Sequence, residues 1–81
     1  MNSFWRFCLA YFEKELPPQQ FTTWIKPLRL RADGNALTLV APNRFVQQWI
    51  RDRFLVRIEQ LAQEQLKRRI EVRLVLAEKE Q

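Results

Sequence analysis

The spacing of apolar positions divides the chain into six segments. From Phe4 to Leu16, Trp5, Cys8, Leu9, Phe12 and Leu16 recur at helical intervals, while Arg6, Glu13 and Lys14 lie away from them. At about 100° per residue this is an amphipathic helix, and Ser3 is placed to cap its first turn. Phe4, Phe7 and Tyr11 widen the apolar arc sideways. A short helix with so wide an arc is either buried on two sides or keeps an aromatic flank for a partner. Pro17-Pro18 ends this helix and can open the next, since proline is favoured in a first helical turn. Gln19 to Ile25 is then a short helix with Phe21, Trp24 and Ile25 pointing inward, and Pro27 stops it.

Beyond Pro27 the period changes to two. Leu28 to Ala32 alternates leucine with arginine, and Ala36 to Val40 alternates around Leu37 and Leu39. Asp33-Gly34-Asn35 supplies turn residues between them, so the pair predicts a β-hairpin with one leucine face buried. Asn43 is a good N-cap for a long helix from Arg44 to about Lys67, with Val46, Ile50, Phe54, Ile58 and Leu61 as its core stripe and Leu55 and Ala62 beside it. Arg69 to Leu76 alternates again and gives a third strand with Ile70, Val72, Leu74 and Leu76 on one face. The predicted order is helix, helix, strand, strand, helix, strand. It describes an α+β domain in which helices cover a three-stranded sheet. The domain is expected to span residues 1–77, with 78–81 the start of a flexible linker.

One group departs from a simple core pattern. Phe45, Trp49 and Val56 fall in a narrow sector of the long helix, roughly 120° or more from the centre of its core stripe by helical geometry. Arg53 and Asp52 stand at the edges of this second patch. Large aromatics beside arginine are the residue types that dominate interface energetics. The patch is a surface to be covered by something else, or Trp49 leans over the short helix and Phe45 is a lone exposed ring. Trp5 is open in the same way, between core and self-association.

Composition narrows the chemistry. A chain of 81 residues with 47% hydrophobic and 28% charged residues suits one soluble domain with its own core. No apolar run approaches the roughly 20 residues needed to span a bilayer, and the first residues lack the features of a signal peptide, so the expectation is a cytoplasmic protein without membrane contact. Net charge is +5, from 14 Lys+Arg against 9 Asp+Glu, which permits salt-sensitive contact with nucleic acid or an acidic partner. Cys8 is the single cysteine and histidine is absent, which leaves no disulfide within the chain and no zinc site. Ser3 has no imidazole to activate it, Asp33 and Asp52 are isolated, and one glycine makes no phosphate-cradling loop. The chain is expected to be no enzyme and to need neither cofactor nor metal.

Two stretches then gain a family likeness. Leu16-Pro17 with Phe21, Trp24-Ile25 and Pro27-Leu28, and Ala41-Pro42-Asn43-Arg44-Phe45-Val46 continuing through Trp49-Ile50-Arg51-Asp52-Arg53-Phe54, resemble the N-terminal domain (domain I) of the bacterial replication initiator family DnaA. Phe4-Trp5 and Cys8-Leu9 fit the same pattern, so the resemblance covers nearly the whole chain. It implies a fold related to the KH type and a hub that contacts the replicative helicase for loading at the origin, receives initiation regulators and self-associates weakly. Phe45 matches the position implicated in helicase contact, with Trp49 and Arg53 beside it. Gln20 stands where some relatives carry an acidic partner-contact residue, and its neutrality alters any charge-dependent part of that contact. Trp5 matches the tryptophan implicated in self-association, and Phe4 and Phe7 are expected to extend that surface. The alternative is a KH-like module for single-stranded nucleic acid. The Gly-X-X-Gly loop of true KH domains is missing, so only weak single-stranded DNA binding is expected.

Overall fold

The apolar stripes close as predicted into an α+β fold. The computed structural model describes residues 3–33 and 36–77, so Gly34 and Asn35 of the expected turn and the expected linker at 78–81 lie outside the described residues. Helix α1 spans Ser3–Glu15, and α2, Pro18–Gln20, runs directly into a π-helical segment, Phe21–Ile25. Strands β1 (Arg29–Asp33) and β2 (Ala36–Ala41) follow, then α3 (Arg44–Arg53), α4 (Leu55–Leu66) and β3 (Glu71–Leu76). The second helix is wider than expected because Lys26 N–H bonds to the Phe21 carbonyl five residues back, at 2.9 Å.

The sheet runs in the order β1-β2-β3, antiparallel between β1 and β2 and parallel between β2 and β3. A parallel return requires a crossover, which α3 and α4 supply. Register places Leu30 opposite Leu39 and Ala32 opposite Leu37 across the hairpin, and Leu37, Leu39 and Ala41 opposite Val72, Leu74 and Leu76 across the parallel pair. This row meets the helices. Helix α3 packs on β2 and β3, α4 packs on β3, and α1 packs on α4 and the π-helical segment.

Two features exceed the pattern. Strand β2 was expected to bury one face, yet all six of its residues are buried. Its outward residues Ala36, Thr38 and Val40 are short. Arg31 and Arg73 flank Thr38 on the outer face, and Arg29 and Val75 flank Val40, so longer neighbours cover a central strand of small side chains. The single long helix expected after Asn43 is instead bent into α3 and α4 at Phe54, whose φ of −119° and ψ of −18° lie off the helical values. Neither proline nor glycine stands there. The bend turns the Phe54 ring toward Phe12 of α1 and Trp49 of α3, with ring centroids 5.6 and 5.8 Å away.

Helix α3 begins where the sequence placed its cap, with Asn43 Oδ1 accepting from the Val46 N–H at 2.9 Å. At the end of α4, Lys67 adopts the left-handed conformation, φ 57°, and its N–H bonds to the Gln63 carbonyl at 2.9 Å. Replacing Asn43 with alanine removes the partner of an otherwise orphaned helical N–H. It should lower unfolding free energy by about 1 kcal/mol in urea titrations, with unchanged denaturant dependence.

Cys8 is fully buried between Phe4 and Phe12 on the inner stripe of α1. Burial disfavours the thiolate and pushes the Cys8 thiol up to about 12. The proton is thus retained by the folded chain after an unfolded one has released it at roughly pH 8.5. Unfolding then releases a proton, so stability falls as pH rises from about 9 toward 12, by at most about 1.4 kcal/mol per pH unit. A Cys8→Ala variant should show a flatter alkaline limb. At pH 8 the native thiol should react with a disulfide reagent only as fast as the domain opens.

Candidate functional site

A chain of rings links the surface of α3 to α1. Trp24 of the π-helical segment lies face to face with Trp49 of α3, with centroids 4.4 Å apart and planes at 16°. Phe45, one turn before Trp49, leans on the same Trp24 ring at 5.8 Å. Beyond Trp49 the series continues inward through Phe54 and Phe12 to Tyr11, whose ring meets Phe12 edge-on at 5.2 Å. The wider π-helical turn helps place Trp24, since an extra residue in the turn rotates the side chains that follow.

This arrangement sorts the expected patch. Phe45 is 74% exposed, while Trp49 is half-buried between Trp24, Phe54 and the Arg53 guanidinium, whose Cζ sits 4.4 Å from the Trp49 ring centroid. Trp49 therefore leans over the short helix, and Phe45 projects from the stack it makes. Arg53 closes the outer face of Trp49 in cation–π geometry. Val56, placed in the same sector by an unbroken helix, lies past the bend on α4 and is exposed. Asp52 is held by Gln48, whose Nε2 donates to both carboxylate oxygens at 3.2 and 3.0 Å. Gln20 is exposed at the end of α2, one turn ahead of Trp24.

The flank expected on α1 is narrower than the sequence indicated. Phe4 is buried in the core, because the inner stripe of α1 runs through Phe4, Cys8 and Phe12 rather than through Trp5, Cys8 and Leu9. Trp5 and Leu9 are half-buried against that core, and Phe7 is exposed. Tyr11 is half-buried at the rim, where its hydroxyl accepts a hydrogen bond from Arg57 Nη1 of α4. On the free domain the aromatic flank of α1 thus consists of Trp5 and Phe7.

Trp24 is the residue that pattern reading undervalued. It was placed inward with Phe21 and Ile25, whereas only Ile25 of the three is fully buried. A signal existed: a helix of one or two turns carrying three large apolar residues has little core to give all of them. Among the described residues no group of His, Cys, Asp or Glu could hold a metal ion, and no helix is long and apolar enough to cross a membrane.

Geometry alone defines a class: a small α+β domain with a parallel β2–β3 crossover, presenting one exposed phenylalanine on a tryptophan stack. Comparison with known proteins gives it a family. Residues 2–64 match the DnaA N-terminal domain, and the chain belongs to that family. It is 55% identical over 76 residues to the chromosomal replication initiator protein DnaA of Methylobacillus flagellatus, covering 94% of this chain and 16% of that protein. With the DnaA of Nitrosomonas europaea the identity is 52% over 81 residues, covering 96% and 18%. The DnaA of Azoarcus sp. is 58% identical over 67 residues, covering 78% and 14%. The chain spans less than a fifth of the length of these curated relatives.

The stack is testable by itself. Trp24→Leu and Trp49→Leu should each destabilise the domain, and a double-mutant cycle should return a coupling of about 0.5–1.5 kcal/mol. Strict additivity would mean that the two rings do not meet in solution.

Proposed function

We propose that the domain is a protein-docking and self-association module of a replication initiator. In this reading Phe45, supported by Trp49 and Arg53 and bordered by Gln20, engages the replicative helicase and helps bring it to the origin. Initiation regulators are received by the same domain. Trp5 and Phe7 form a weak contact between two copies, with Phe4 supporting that helix from inside. The setting is cytoplasmic.

The observation that carries the proposal is the exposure of Phe45 at 74% against the edge of the Trp24–Trp49 stack. Burying a phenylalanine from water contributes about 1.5–3 kcal/mol. The Trp24 ring beside it offers a partner a second apolar surface next to the exposed phenylalanine. Such a single anchor gives a weak contact. Several initiators assembled at one origin would make weak contacts effective through multivalency.

The charge excess permits weak contact with single-stranded DNA, but stacking support for it is limited. Trp24 and Trp49 face each other, and Arg53 lies over Trp49, so these rings have few open faces for bases.

Phe45→Ala should weaken binding of the domain to the replicative helicase at least tenfold by calorimetry, about 1.4 kcal/mol. Its thermal unfolding should stay close to that of the wild type, because the lost ring is mostly in water. Unchanged helicase affinity, or unfolding that parallels the loss of binding, would contradict the assignment.

A further inference from the structure

A second surface lies on the other flank of α3. Arg44, Gln47 and Gln48 occupy positions separated by helical rotation from Phe45 and Trp49, and they face β3 across a cleft of about 650 Å³. Leu74, Val75 and Leu76 form the opposite wall, and Arg31 of β1 contributes a second guanidinium. Strand β3 is an edge of the sheet.

The backbone of that edge is turned toward the cleft. Gln47 Nε2 donates to the Leu74 carbonyl at 3.3 Å, so this carbonyl points away from β2. In a strand the N–H and C=O of one residue point to the same edge, and successive residues alternate. Val72, Leu74 and Leu76 therefore direct their main-chain groups outward. The Gln47 bond, longer than the usual 2.9–3.0 Å for such pairs, is one that a better-placed donor could displace.

We propose that the α3–β3 cleft binds an extended acidic peptide, which adds to β3 as a fourth strand. Main-chain pairing would supply the affinity common to all strand addition. Arg44, at the start of α3 beside that edge, selects carboxylate-bearing side chains, and among the described residues no acidic side chain lines the cleft. The net charge of +5 favours approach of such a segment. A single nucleic-acid strand fits less well, because among the described residues no aromatic ring lines the cleft to stack a base. The six residues of β3 match a peptide of similar length. This site is separate from the Phe45 surface and does not depend on the role proposed for it.

The test uses the labelled domain and a capped six-residue peptide of alternating glutamate and valine. Addition of the peptide should shift the amides of Val72, Leu74 and Leu76 and slow their hydrogen exchange. Arg44→Glu, which places an acid favourably at the start of α3 and keeps the fold, should weaken binding at least fivefold, whereas Phe45→Ala should leave it unchanged. A lysine–valine peptide of the same length should not bind. Unprotected edge amides, or affinity indifferent to Arg44→Glu, would overturn the proposal. So would displacement of the peptide by an oligodeoxythymidine that gives the same shifts, which would make the cleft a phosphate site. Protection of the three amides that grows with domain concentration alone would instead assign the edge to a second copy of the chain.

Discussion

Trp24 and Trp49 lie ring on ring at 4.4 Å, and through this contact the short second helical unit is fastened to α3. Each tryptophan would be poorly covered without the other. The π-helical segment has only Ile25 fully buried, and α3 buries Val46 and Ile50 against the sheet while leaving its Trp49 flank outward. The stack closes that gap and extends inward through Phe54 to Phe12, so a surface contact is continuous with the core. Aromatic pairs of this kind contribute beyond their buried area. Phe45 is positioned as a consequence, since one of its few neighbours is the Trp24 ring.

The arrangement separates stability from recognition on one helix. Toward the sheet, α3 contributes Val46 and Ile50 to the core. Its Phe45 flank carries an exposed ring on a fixed base, and its Arg44 flank faces the outer edge of β3. A helix of ten residues thus presents two surfaces of different chemistry, one aromatic and one cationic with the outer edge of β3 beside it.

Much of this was legible in the residues because periodicity reports burial. The alternation around Leu37 and Leu39, the Asn43 cap and the helical stripe through Ile50 and Ile58 each correspond to an element in place. Phe45 stood out because a large ring fell outside the core stripe. What the pattern could not carry is tertiary. The bend at Phe54 leaves the apolar spacing nearly intact, so one periodic run became two helices, with Val56 no longer in register with Phe45. Burial of both faces of β2 depends on arginines of neighbouring strands, and parallel pairing of β3 depends on the crossover. Phe4 and Trp5 differ by 100° on a wide apolar arc, and only packing against α4 and the π-helical segment decides which of them is inside.

The central claim is that the Trp24–Trp49 stack presents Phe45 as the docking anchor. It is tested most directly by an NMR titration of the labelled domain with the replicative helicase, alongside a single-stranded origin oligonucleotide. The account predicts shifts centred on Phe45 and on the indole groups of Trp24 and Trp49 with helicase, and little change with DNA. Helicase shifts confined to Trp5 and Phe7, or broad shifts at the arginines with DNA and none with helicase, would contradict it.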